Sequence, residues 1–526
     1  MGKGTKRIEA INVILVGLGL LTLACDRVDE DSEISSAGGG QSAAGAGGSG
    51  GEISQGSATV GGQSVAGAGG SGGAGGVTIS GPLCSTPIPI NAPTTVDGCV
   101  VVPRTIDPES TCGAADCPII RTFDLSCEKG VNDPELSLIG DRTFVLVQCC
   151  TSGSDNRLLT VTDTETEISR IGALLNTFSE RLSSASTSTW YVARGSYRGQ
   201  IVAVTANGEI WSESTVVPGP SDGWPYLSDA ATVDETLGYV AYRLGTKGIP
   251  HLVTWDGACW TDEMLTDAAT HQLRLGVDAD GLPWMAWVQQ DTAGEVQIVL
   301  RDPTGESLPV YVATEGSRVI DSARSVSVLP GGFDGHDPYP TLTVFDSNGI
   351  NVVRRDSGSQ SGWSAVALPD SSPGSVATDC PEYVLSFDPH PCGDQTSCTT
   401  QIEGNGVYYG LARTASQGTF AVWLDFSSLA DSVLSDVMVF GGEMPNFACG
   451  PSATTGSGTA ELVLARLGNN APVITRYRFD LDAGLLDLWK PIAVAARGDI
   501  LVVTAEISGG DNPALTYFEI DSRLLP

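Results

Sequence analysis

Basic side chains are scarce in this chain: 28 lysines and arginines stand against 62 acidic residues, a formal net charge of -34. A surface of that sign cannot neutralise phosphates and is repelled by anionic lipid, which excludes nucleic acid as a partner and membrane adhesion through charge. Histidine is scarcer still, with 4. His251, His271, His336 and His390 stand far apart, without metal-ligand or triad spacing, and read as loop or surface residues. The Gly-x-Ser-x-Gly spacing falls only in low-complexity or turn stretches, at residues 47–51, 69–73 and 219–223, where no helix pattern follows. The glycine-rich stretch has no strand before it, no helix after it and no Walker lysine, so neither a nucleophile elbow nor a phosphate loop is expected, and no cofactor. Long apolar runs are missing too: the sustained one, residues 11–24, has 14 residues where about 20 are needed to span a membrane.

Cysteine, by contrast, is plentiful. The chain has 13 and no Cys-x-x-Cys pair or His/Cys cluster, which points to an oxidising compartment rather than to metal. Setting Cys25 aside leaves an even number, 13 minus 1, or 12. These are Cys84, Cys99, Cys112, Cys117, Cys127, Cys149, Cys150, Cys259, Cys380, Cys392, Cys398 and Cys449, and most or all are expected in disulfides. Neighbours Cys149 and Cys150 point to opposite faces of a strand and so should have different partners. Cys380, Cys392, Cys398 and Cys449 are expected to pair among themselves.

Lys3, Lys6 and Arg7 precede the short apolar run, the pattern of an export signal over residues 1–24. The run closes on Leu21-Thr22-Leu23-Ala24-Cys25, which resembles a bacterial lipobox, with Thr22 departing from the leucine usual three places before the cysteine. The resemblance implies lipid on Cys25, a membrane anchor through that lipid, and a place in the cell envelope outside the cytoplasm. Residues 25–81 are dominated by Gly, Ala, Ser and Gln, and QSAAGAGGSGG at Gln41 recurs as QSVAGAGGSGG at Gln63. Such a composition builds no core and reads as a disordered tether. Residues 82–133 form a small Cys-rich segment.

From residue 134 to 526 the pattern is β. Residues 284–289 and 296–301 alternate apolar and polar around Asp291, Thr292, Ala293 and Gly294, a hairpin signature. Versions of it open at Phe144, Trp190, Tyr239, Trp284, Leu342, Phe420, Leu462 and Leu501. From 144 to 501 is 357 residues over seven steps, an average of 51, near the length of a four-stranded propeller blade. Trp211, Trp260 and Trp363, each following a glycine and preceding Ser or Thr, mark the start of one strand per blade, and short runs such as residues 273–277 and 325–329 supply inner strands. The predicted fold is all-β, a propeller of seven or eight blades. Alternation places Trp284, Ala286 and Val288 on one face and Met285 and Trp287 on the other, both covered by neighbouring blades.

The segments VDADGLPWMAW and TWDGACWTDEML resemble blades of sialidase-like (BNR-type) bacterial propellers, although Asp278-Ala279-Asp280-Gly281 lacks the serine, threonine and spacing of an Asp-box. The resemblance implies a fold and leaves function open. Binding of a protein or glycan ligand is expected, the alternative being a glycan-processing enzyme of the sialidase-like kind. Asp278 and Asp280 suit a turn better than a calcium site. The step from Leu342 to Phe420, 78 residues, exceeds the average by 27 and implies an insertion on one face, where recognition would reside. The last unit lacks an outer strand, and residues 119–125 are the natural donor, expected to pair with residues 514–520 and close the ring.

Overall fold

In the computed structural model, described from Pro82 to Pro526 apart from short connecting segments and residues 313–325, 330–338, 379–396, 426–433 and 441–453, the alternating runs become antiparallel strands. Backbone alone is described through the strands between residues 372 and 408 and between 434 and 460. Residues 1–81, Cys25 among them, lie outside the described residues, as do Cys150, Cys380, Cys392, Cys449, His336 and His390 and the side chains of Cys149, Cys398 and His271.

The hairpin of Pro283–Gln290 and Val296–Arg301 shows how sequence makes a blade. Trp284, Ala286 and Val288 pack with Leu342, Val353 and Trp363 of the following blade, while Met285 and Trp287 pack with Tyr239, Ala241 and Leu252 of the preceding one. A sheet buried on both faces needs apolar residues at successive positions, and five consecutive buried residues, Trp284 to Val288, supply them. Side chains the size of Val288 and Met285 contribute about 1.5–3 kcal/mol each on burial.

Seven sheets of this kind form the ring. From inner to outer strand they run Asn132–Ile139 to Thr166–Arg170 (blade 1), Thr177–Ser184 to Ile210–Val217 (blade 2), Pro225–Thr232 to Trp260–Met264 (blade 3), and His271–Val277 to Ser307–Val312 (blade 4). Blades 5 and 6 run Val326–Leu329 to Trp363–Ala367 and Tyr409–Thr414 to Val473–Leu486. Blade 7 starts at Ile492–Arg497. Each inner strand touches those of the flanking blades, and that of blade 7 touches that of blade 1. The count is seven because Leu462 lies within the third strand of blade 6 and does not open a blade of its own. An insertion between the second and third strands of that blade spaces Phe420 and Leu462 like one repeat.

Blade 7 takes its fourth strand from the N-terminal side. Ile119–Cys127 pairs antiparallel with Ala514–Asp521, Leu125 opposite Leu515 and Arg121 opposite Glu519. Phe123 stacks on Tyr517 with centroids 4.6 Å apart, and Leu125 joins Val145, Leu159 and Leu515 in the core between blades 7 and 1. Buried Glu519 accepts from Tyr517 Oη at 2.7 Å and faces Arg121 and Arg497 at 3.8 and 3.6 Å. Both arginines also reach blade 1, Arg121 donating to the Thr162 carbonyl at 2.6 Å and Arg497 to that of Asp141.

Upstream of this strand the chain wraps the rim as a strap over four consecutive blades. Leu83 bridges to Trp260 of blade 3, with Cys84 bonded to Cys259. Ile88–Ile90 adds to the outer strand of blade 2 and Thr94–Thr95 to that of blade 1. Cys99–Pro103 adds to Ile119–Cys127 of blade 7, with Cys99 bonded to Cys127. The strap therefore crosses the seam that would otherwise open, and covers sheet edges that would otherwise present unpaired backbone groups. A short helix, Pro108–Cys112, capped by Asp107 and followed by the Cys112–Cys117 disulfide, turns the chain back.

Candidate functional site

Strand order defines two ends of the ring. First-to-second and third-to-fourth turns lie at one end, second-to-third and blade-to-blade connections at the other. Among the described residues the first end carries mostly tight turns. Asp234, Asp256, Asp278, Asp302 and Asp356 each accept, through Oδ1, the backbone N–H two residues on, at 2.7 to 3.0 Å. Asp278 also accepts from Leu282 N at 2.9 Å and Trp284 Nε1 at 3.0 Å, so its oxygens serve the turn. Among the described residues no group of three acidic, Cys or His side chains is placed to hold a metal.

The other end carries both insertions. The one foreseen between Leu342 and Phe420 forms Pro373–Thr378 and Ser397–Gly404; the second, unforeseen, forms Leu434–Phe440. They join in one three-stranded sheet outside the seven blades, Cys398 opposite Val439. In blade 6, Thr454–Leu467 and Val473–Leu486 run 14 residues each, and only residues 461–467 of the first pair with Gly418–Asp425. The remainder pairs within a two-stranded ribbon that continues past the blade toward the insertion end.

Along the axis, equivalent positions of the seven inner strands form one layer: Glu135, Arg181, Asp229, Arg274, Val328, Leu411 and Val494. Each is opposite a buried apolar residue of its second strand, respectively Leu146, Val192, Ala241, Ala286, Leu342, Ala421 and Val503. They line a cavity of about 230 Å³ with Leu275, Tyr409 and Gly410. Blades 1 to 4 thus give a charged wall and blades 5 to 7 an apolar one. The inner-strand ladders of blades 1 to 4 each shift register one or two residues before the charged residue, and those of blades 5 to 7 do not. A bulge re-aims the next side chain, here toward the axis. In blade 4 it holds Gln272 at φ 51, a left-handed conformation that non-glycine residues adopt at a cost of about 1–3 kcal/mol.

Within the charged wall Arg181 faces Glu135 at 3.3 Å. The carbonyl of bulged Ser228 accepts from Arg181 Nε at 2.8 Å and from Arg274 at 3.0 Å. Asp229 accepts from Leu275 N at 3.0 Å and Ala230 N at 2.9 Å. Burial pushes the Asp229 carboxyl above its ordinary value, against the opposing pull of Arg274, Arg181 and the Leu275 N–H. The four charged groups thereby stitch blades 1, 2, 3 and 4 together around the axis.

Among the described residues six cysteines form three disulfides, Cys84–Cys259, Cys99–Cys127 and Cys112–Cys117. His251, expected on a loop or surface, instead lies in the third strand of blade 3. It stacks on Tyr242 at 4.7 Å, with Nδ1 3.0 Å from Asp262, which also accepts from Tyr242 Oη. The channel residues went unnoticed in the sequence. Their signal is spacing, since Glu135, Arg181, Asp229 and Arg274 follow one another at 46, 48 and 45 residues.

No family model matches the chain, and no curated protein matches it. Among solved structures it is similar to puromycin hydrolase, at 13% identity and a TM-score of 0.41 over 74% of this chain and 52% of that one. It is also similar to the BP39L lectin from Burkholderia pseudomallei, at 12% and 0.35 over 66% and 99%, and to the polysaccharide lyase Uly1, at 9% and 0.29 over 65% and 89%. The chain spans about half the length of puromycin hydrolase. At these values the likeness extends to no ligand and no reaction.

Proposed function

We propose that this chain is a lipid-anchored protein of the cell envelope, outside the cytoplasm, whose propeller binds a protein or glycan ligand through the end that carries the insertions. The observation behind the binding surface is that two insertions, separate in sequence, leave the ring at one end and join in a single sheet. Loops on a rigid scaffold are where recognition concentrates, and most described connections at the opposite end are tight turns. The anchor rests on Cys25 behind its short apolar run, and the three disulfides agree with an oxidising compartment. Replacing residues 373–404 and 434–440 by short Gly/Ser turns in the soluble protein should abolish ligand binding and leave the melting transition of the ring in place.

The second reading, a glycan-processing enzyme of the sialidase-like kind, draws on the two arginines and two carboxylates around the axis. Their geometry favours a structural part. They bind one another and the Ser228 carbonyl, in a cavity of about 230 Å³, below the roughly 300–1,000 Å³ of most ligand pockets. Tyr409 Oη is engaged by the Thr343 carbonyl at 3.1 Å. Turnover of fluorogenic glycosides that disappears in Glu135→Gln would reverse this preference.

A further inference from the structure

The turn end of blade 5 holds an exposed arginine that stacks on two aromatic rings. Arg104, Arg301, Arg478 and Arg523 each have a carboxylate within 4 Å: Asp124, Glu263, Glu461 and Asp521. Arg355 is exposed, and among the described residues no carboxylate lies within that distance of it. Its guanidinium carbon instead sits 4.8 Å from the ring centroid of Tyr339 and 5.8 Å from that of Trp363, its cross-strand neighbour. Tyr339 is held in turn by Trp284 and Trp363, each 6.1 Å away and nearly perpendicular to it, and keeps 39% of its surface exposed. Gly362 completes the arrangement: it turns the chain at φ +73, and a Cβ there would come within 2.8 Å of the Arg355 Nη1. The adjacent Asp356 is committed to the turn, accepting from Gly358 N at 2.8 Å.

We infer that Arg355 and Tyr339 form a second binding site, at the end opposite the insertions, for a sugar that carries a single carboxylate, a hexuronate at a glycan terminus. A guanidinium fixed by stacking has little rotamer freedom left to lose and presents parallel N–H donors to a planar carboxylate. An exposed tyrosine edge beside it suits the C–H surface of a pyranose. A sugar with one acid fits better than a polyanion, because the net charge of -34 repels every further negative group while one arginine satisfies only one carboxylate.

Ligand-observed NMR titration of the soluble protein with methyl β-D-glucuronide and methyl β-D-glucoside tests this without any variant. The glucuronide should bind at least about tenfold more tightly, the ratio expected for one charge-assisted bidentate contact. Arg355→Gln should erase the preference, and Arg355→Lys, which keeps the charge but not the planar fork, should lose most of it. Replacing both insertions should leave it unchanged, which separates this site from the ligand surface proposed above. Equal affinity for the two sugars would overturn the inference, as would a preference that survives in Arg355→Gln. Displacement of the glucuronide by acetate at equal concentration would also overturn it, since the site would then read carboxylate without sugar.

Discussion

If the strap and the closing strand hold the ring shut, removing them should cost most of its stability. A protein beginning at Asn132 lacks Leu83 and Cys84 on blade 3, the added strands on blades 2 and 1, and all of Ile119–Cys127 on blade 7. Two side chains set the scale, Phe123 at 4% and Leu125 at 1% exposure. Truncating a buried Phe or Leu costs about 3–5 and 2–5 kcal/mol, together about 5–10, against a total domain stability of about 5–15 kcal/mol. Unpairing the Ala514–Asp521 edge and leaving buried Glu519 with only one of its two arginines add to that. Scanning calorimetry with size-exclusion chromatography should therefore show a native, cooperative transition for a protein beginning at Val77, and an expanded or aggregating species for the one beginning at Asn132. The same transition temperature in both would refute the reasoning, because the ring would then close without its N-terminal strand.

Other perturbations give sharper local readings. Gly238→Ala places a Cβ within 2.2 Å of the Trp190 ring, so it should destabilise the interface of blades 2 and 3 by about 1–3 kcal/mol in urea unfolding. Cys84→Ser with Cys259→Ser opens a loop with sequence separation 175, and chain entropy sets an upper bound of about 5 kcal/mol on the loss, read against the parent in denaturant melts without reductant, where Cys99–Cys127 and Cys112–Cys117 stay closed. For Asp229, burial raises the folded-state value, so the folded chain holds the proton more tightly and its stability contribution falls as pH rises through the ordinary carboxylate range. Asp229→Asn should thus gain stability relative to the parent between pH 4 and pH 7, read from thermal melts at the two pH values; a relative loss would contradict it. Cys25→Ser should release the protein from membranes and abolish fatty-acid labelling, and unchanged partition would count against the anchor.

Much of the ring was legible because a sheet covered on both faces needs apolar residues at consecutive positions, and Trp284 to Val288 show them plainly. The closing strand could be found because residues 119–125 are β-prone without a hairpin of their own. The strap could not: Ile88–Ile90 and Thr94–Thr95 are two or three residues long, and an edge strand on the rim needs no alternation. Leu462 misled because an insertion inside blade 6 reproduced the spacing of a repeat. The channel layer stayed hidden because its charged members follow bulges, which shift the period-two pattern by a residue. The Arg355 cluster is assembled from the turns on either side of one hairpin; the sequence marks Gly362 and Trp363 only as the start of a strand, and Tyr339 is not conspicuous alone.

The central claim, recognition through the insertion end, is tested most directly by measuring binding of the soluble protein to isolated cell-envelope fractions, native and after protease or glycosidase treatment. The form with residues 373–404 and 434–440 replaced is measured in parallel. The account predicts saturable binding by the parent, lost after one of the two treatments and lost in the replaced form while its thermal transition persists. Equal binding by the parent and the replaced form would contradict it.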